Sequence, residues 1–380
     1  MAKRNFAEII DLRSDTLTLP TPAMRRAMAA AEVGDDVFGE DPTVKQLEQR
    51  TAEVLGKPAA LFVTSGTMGN QVALRAHTEP GQEIVVEANA HIYYFEGGGP
   101  AAISGVMCRC LQGHRGMFTA ADVAAALRKP DPHFPPTSLV CIENTHNRGG
   151  GSIWPLKQIH EIAKLAKERG LKMHLDGARL WNASVASGIP EREYAAPFDS
   201  VNVCFSKGLG APVGSALAGS VEFIERARRF RKQFGGGMRQ AGIIAAGALY
   251  ALEHHRARLA EDHRHARMLA EGLAEIPGLA VDLETVETNI VIFRVKSCPA
   301  AELVARLKPL GVLVLSTGPD TIRAVTHLGI TAGDIAEAQG RFGEALGATR
   351  RRVQRNLLKK NGESGARTSR KLKLRSRIPR

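Results

Sequence analysis

"FSKGLGAPVG", residues 205–214, sets a lysine at the end of an apolar run and follows it with three glycines and a proline. The run before it, "FDSVNVCFS" (198–206), has the composition of a buried strand. Two readings of Lys207 are open: a turn residue pointing into water, or an amine held at a fixed place on a sheet edge. The choice turns on what ends the neighbouring strands. From about residue 55 to 220, short apolar runs alternate with helical patterns, the signature of an α/β domain. The predicted strands are "AALFVT" (59–64), "EIVVE" (83–87), "SLVCIEN" (138–144), "LKMHLD" (171–176), "SVNVCFS" (200–206) and "GSALAG" (214–219). Polar segments follow them: "VTSGTMGN", "ENTHNRGGG", "LDGAR" and "SKGLG". In an open α/β sheet the carboxyl edge is where ligands bind, so these groups can converge on one pocket.

The clearest helix follows Trp154. Pro155 suits its first turn, Leu156, Ile159, Ile162 and Leu165 recur at i, i+3 spacing, and Gly170 can end it left-handed. A long helical stretch is expected over about 240–276. Beyond it "ETNIVIFRV", a helix near 300–309, "VLVLS", "TIRAVTH" and a last helix near 331–347 read as a smaller α+β lobe. The expected organisation is an arm at 1–20, a large domain at 21–250, a small one at 251–349 and a tail at 350–380.

Composition is ordinary for a globular chain of 380 residues, with 44% hydrophobic and 24% charged residues. No run of about 18 apolar residues offers a membrane span, and "MAKRNFAEIIDLRSD" lacks a signal core. Five cysteines without a CxxC pair point to reduced thiols in a cytoplasm, with no structural zinc. The net charge of +12 is confined to the tail: residues 350–380 carry 13 Lys and Arg against Glu363 alone. The rest balances 38 basic with 38 acidic residues and gives no electrostatic reason to expect DNA or RNA. The tail itself reads as disordered, able at most to bind polyanions weakly and without sequence preference.

The helix after the first strand begins at Ser65, Gly66 and Thr67, and its unpaired N–H groups make either a plain cap or an anion site. No GxxxxGK[ST] loop is present, which disfavours a nucleoside triphosphate. Asp176 ends its strand on the same side as His174, and Lys207 ends the next strand. An amine, a carboxylate and an anion cradle at one sheet edge suit pyridoxal phosphate, which takes a lysine as its covalent anchor and an acid at its ring nitrogen. The carboxylate keeps that nitrogen protonated by opposite-charge stabilisation.

With "DLRSDTLTLP", "GDDVFGEDPT", "SGTMGNQVAL", "HIYYFEGGG", "ENTHNRGGG", "HLDGARLWNA", "SKGLGAPVGS", "GGGMRQAG" and "IRAVTHL" in this order, the chain resembles the low-specificity L-threonine aldolases from about residue 9 to 347. The resemblance implies the aspartate-aminotransferase-like fold (fold type I), with a mostly parallel sheet and a smaller C-terminal α+β domain. It implies Lys207 as the cofactor's anchor, Asp176 at the ring nitrogen, and Ser65, Gly66 and Thr67 at the phosphate. Lys232 and Arg239 would be phosphate or pocket contacts lent by a neighbouring subunit of a homotetramer, and His91 would stack on the ring. Ser14, Arg179 and Arg323 would clamp the substrate carboxylate, Arg179 standing close to the cofactor too. The implied reaction is aldol cleavage of L-threonine, L-allo-threonine and related β-hydroxy amino acids to glycine and an aldehyde. His91 and His146 are placed near the hydroxyl, either as the base or holding a water that serves as one. Phe38 stands where relatives often have Tyr, and the tail is outside the family pattern. β-Elimination or serine hydroxymethyl transfer would use the same lysine, aspartate and cradle, and a nucleic-acid role through the tail is the rival of another class.

Overall fold

The computed structural model describes residues 9–347. The tail at 350–380, with the disorder expected of it, lies outside them. In chain order the strands are β1 (Ile10–Asp11), β2 (Ala59–Val63), β3 (Glu83–Glu87), β4 (Met107–Leu111), β5 (Thr137–Glu143), β6 (Lys172–Gly177) and β7 (Ser200–Cys204). After them come β8 (Ser215–Gly219), β9 (Leu279–Val281), β10 (Ile290–Val295), β11 (Val312–Leu313), β12 (Leu315–Ser316) and β13 (Thr321–Val325).

Seven strands make the main sheet in the order β2-β8-β7-β6-β5-β3-β4. β3 pairs parallel with β4 and β5, and β5-β6-β7 continue parallel. β8 alone runs antiparallel to both its neighbours. Every residue of β3, β7 and β8 is buried, as helices on both faces of a parallel sheet require. The six strands expected from sequence are therefore present, and β4 is the one unforeseen. Its "MCRCL" sits at the sheet edge with Met107 exposed, so it lacks the apolar continuity of an interior strand.

The helical stretch expected over 240–276 is two helices, Gly242–His254 and Leu259–Ala274. The chain breaks where the His255 ring Nδ1 donates to the Leu209 carbonyl (2.7 Å), in the loop after Lys207. The break lets one stretch serve two cores. Ala245, Ala248, Ala251 and Leu252 join the core under the main sheet. Ala266, Leu269 and Leu273 join a second core with Phe293, Leu303 and Phe342. That second core backs a four-stranded antiparallel sheet, β12-β13-β10-β9. The N-terminal segment belongs to it: β1 pairs parallel with β11, and Ile10 and Leu12 are buried in the second core. The result is α/β with a smaller α+β unit, as the sequence implied. Among the described residues no helix is long and apolar enough to cross a membrane.

Candidate active site

Lys207 lies in the connection between β7 and antiparallel β8, which must reverse direction against the packed sheet. The turn closes through Gly210 N–H to the Lys207 carbonyl (2.8 Å), with Gly210 at φ +80°, where a side chain is disfavoured. At Gly214, φ +110°, a Cβ would fall 2.6 Å from the Phe62 ring. The Thr18 hydroxyl donates to the Lys207 carbonyl (3.1 Å), tying the N-terminal arm to this loop. The glycines thus fold the loop back while Lys207 stays half-buried at the sheet edge.

Asp176, at the end of β6 beside β7, is buried and held on both oxygens. Oδ1 accepts from the Ala178 amide (3.1 Å) and Oδ2 from Asn70 Nδ2 (2.9 Å). Asn70 sits one turn into the helix Gly66–His77, which Ser65 caps by accepting from the Met68 amide (3.1 Å). This helix packs very close: a Cβ on Gly66 would lie 2.7 Å from Cys204 Sγ. Ser65 and Thr67 are exposed at this helix start, whose positive dipole end suits an anion.

His91 follows β3. Its ring Nδ1 is 2.9 Å from Glu96 Oε1, and Glu96 also receives Gln71 Nε2 (2.6 Å) and Asn70 Nδ2 (2.8 Å). Polar atoms of His91, Glu96 and Asp176 all lie within 4.8 Å of one another. Burial alone would lower the His91 pKa; the Glu96 hydrogen bond and the Asp176 charge outweigh it, and the pKa is raised. Glu143, the last residue of β5, joins the neighbouring loops by accepting from the His91 amide (2.6 Å) and the Asn147 amide (2.8 Å).

His146 is fully buried. Its Nδ1 accepts from the Gly149 amide (3.0 Å), so its proton is on Nε2, which faces Glu87 (3.2 Å) and Glu143 (3.8 Å). Burial opposes the charge, yet Glu143 and Glu87 together raise its pKa. It stands behind the cleft rather than in its lining, holding the turn at 144–152.

The cleft, about 440 Å³, is lined by Ser14, His91, Asn147, Arg179, Lys207 and Arg323 among others. Arg179 donates its Nε and Nη2 to the two oxygens of Asp15 (2.7 and 2.8 Å), and Asn289 Nδ2 donates to the same carboxylate (3.1 Å). Burial pushes the Asp15 pKa up, but Arg179 and then Lys207 hold it well below the carboxylate range. Arg323, on β13, donates to Asn147 Oδ1 (2.7 Å) and to the Arg13 carbonyl (3.1 Å). Burial and the nearby Arg179 push its pKa down to about 10. Its buried Nε has no partner among the described residues, a donor left over for an incoming acceptor.

The structure therefore brings Ser14, His91, Arg179, Lys207 and Arg323 into one cleft, with Asp176 linked to Glu96 and His91 and with Ser65–Thr67 at the end of the helix that carries Asn70. Lys232 and Arg239 are not in its lining; both are exposed, and Arg239 Nη1 pairs with Asp35 (3.1 Å). Sequence reasoning missed Asn70, Glu143 and Asp15, each of which holds a named residue by a contact distant in sequence, and Glu96, which holds His91 from within the same turn segment. The four donor types fit pyridoxal phosphate: an amine at Lys207, a buried carboxylate at Asp176, an open helix N-terminus and an aromatic ring at His91.

The profile of the beta-eliminating lyase family matches residues 11–296. The chain is 46% identical to the probable low-specificity L-threonine aldolase 2 of Arabidopsis thaliana over 86% of this chain and 94% of that one. It is 44% identical to the low specificity L-threonine aldolase of Escherichia coli K12, over 87% and 97%. A crystal structure of a putative L-allo-threonine aldolase from Listeria monocytogenes superposes with a TM-score of 0.76 at 23% identity, covering 90% of this chain and 97% of that one, and so shares the fold. This chain belongs to the beta-eliminating lyase family, among its low-specificity L-threonine aldolases.

Proposed function

We propose that the cleft cleaves L-threonine between Cα and Cβ to glycine and an aldehyde, as a carbon–carbon lyase with pyridoxal phosphate as cofactor. One observation carries this reading: Lys207 and Asp176 leave neighbouring strands at the same edge of one sheet, and two arginines stand in the same cleft. When bound, the cofactor stabilises negative charge on the amino acid's α carbon. Lys207 would anchor it, Asp176 would face its ring nitrogen, His91 would lie against its ring, and Ser65, Gly66 and Thr67 would take its phosphate. Ser14, Arg179 and Arg323 would hold the substrate carboxylate, with Asp15 fixing the Arg179 plane. That clamp decides which bond at the α carbon stands ready to break. His91 is the cleft histidine suited to accept the hydroxyl proton, directly or through a water. His146 would act by holding the loop that presents Asn147.

Exposed Val33, Val37, Phe38 and Ile243 lie in the two segments that carry the Asp35–Arg239 pair and support a contact between subunits there. Lys232 and Arg239 would then complete a neighbour's site in a homotetramer. Five unpaired cysteines support a reducing, cytoplasmic setting. The two cores support a division into a large unit at 21–250 and a small one at 251–349, with the arm at 1–20 reaching the cleft. The test of the activity is product analysis with L-threonine and L-allo-threonine: glycine and acetaldehyde are expected, and ammonia with a keto acid would overturn the aldolase reading.

A further inference from the structure

Behind Asp176, on the side away from the cleft, runs a line of buried polar groups that the chemistry above does not use. Asn70 Nδ2 spends its two hydrogens on carboxylates, Glu96 Oε1 at 2.8 Å and Asp176 Oδ2 at 2.9 Å, which as anions only accept. Asn70 Oδ1 must therefore face the other way. There it accepts from Asn202 Nδ2 (2.9 Å) and from His174 Nε2 (3.1 Å). This places the His174 proton on Nε2. Burial holds His174 neutral, its pKa pushed down to about 4, so its Nδ1 accepts from the Ser200 hydroxyl (2.8 Å). The Ser200 oxygen in turn accepts from His77 Nε2 (2.7 Å), the far end of the same helix that carries Asn70. His77 stacks on Phe223 (centroids 4.4 Å, 16°) and is also held neutral by burial, with a pKa of about 3.

The donor and acceptor inventory thus leaves one direction for every link, from His77 through Ser200, His174 and Asn70 to Asp176. Hydrogen bonds aligned head to tail polarise one another, and this line ends on the carboxylate. We propose that His77, Ser200 and His174 are positioning residues that act through Asn70 to orient Asp176 toward the cofactor's ring nitrogen. Because Asn70 also holds Glu96, the same line fixes the His91 ring relative to that carboxylate. The inference rests on the cofactor reading above, and it concerns residues that do not line the cleft.

The test compares two ligands on cofactor-stripped full-length protein: pyridoxal phosphate and its analogue with carbon in place of the ring nitrogen. Only the former can bond Asp176, so the ratio of their dissociation constants reads the carboxylate's setting. In Ser200→Ala and His174→Leu the preference for pyridoxal phosphate is expected to fall roughly threefold to tenfold, the net worth of one hydrogen bond, with the analogue's affinity unchanged. His174→Gln, which can still donate to Asn70, should recover most of the preference. Equal losses for both ligands would show a merely structural role, and an unchanged ratio in folded Ser200→Ala would overturn the relay. Asp176→Asn is the control for the underlying reading. If it keeps the wild-type ratio, the assignment of Asp176 to the ring nitrogen fails, and the relay with it.

Discussion

At the scale of single residues, Lys207 is the sharpest test. Lys207→Ala is expected to abolish the visible absorption of the bound cofactor and to lower turnover by at least about 10³-fold, since among the described residues no other lysine lines the cleft. Unchanged absorbance would remove the assignment. Glu96→Gln probes His91. The Glu96 and Asp176 charges raise the His91 pKa against burial, so removing the Glu96 charge lowers it. If neutral His91 takes the hydroxyl proton, the acid limb of the kcat/KM profile moves to lower pH. An unmoved limb would assign that step to another group. Lys207 and Asp176 were legible because each ends an apolar run, where a charge has no reason to be unless something is to bind it. Glu96 was not, because "YFEGGG" reads as a solvated turn until Gln71 and Asn70, 25 and 26 positions away, are seen to cover it. Asp15 was hidden likewise, its arginine lying 164 residues along the chain.

Among elements, the helix Gly66–His77 carries the proposed cradle at one end and residues of the proposed relay at both. Ser65→Ala removes the cap on the Met68 amide and should cost about 1 kcal/mol of stability, read by urea unfolding. Gly66→Ala should weaken cofactor binding more than Ser65→Ala does, because its Cβ drives the helix start away from Cys204. Equal affinities for the two variants would separate the cradle from this turn. The turn at 144–152 is tied by His146, whose Nδ1 accepts from the Gly149 amide while Nε2 faces Glu87 and Glu143. His146→Phe leaves that amide without its acceptor and should cost about 1–3 kcal/mol, read by urea unfolding. An unchanged urea midpoint would show that the ring does not hold the turn. Interior strands were readable because both their faces are apolar. Edge strand β4 and the two-residue β1 were not, since pairing with a neighbour, more than side-chain pattern, makes them strands.

For the whole molecule, the shared-site reading makes a prediction that no single chain can fulfil. Lys207→Ala and a Lys232→Ala, Arg239→Ala double variant should each be nearly inactive. Refolded together in equal amounts, they should regain roughly a quarter of wild-type sites, because hybrid pairs combine one intact half from each parent. A mixture no better than its components would confine Lys232 and Arg239 to their own chain. A last consequence follows from the arm. Ile10 and Asp11 leave the ribosome well ahead of their partners Val312 and Leu313, and the Leu12 carbonyl receives the Val325 amide (2.8 Å). The main sheet is complete at Gly219 and its core at Leu259, so the nascent chain can close its larger core while the segment around β1 waits for a strand some 300 residues downstream. Ser14 and Arg323 meet in the cleft only after that pairing. The proposed clamp on a substrate carboxylate is thus incomplete until synthesis has passed Arg323, and a chain terminated before it would hold a formed sheet without that clamp.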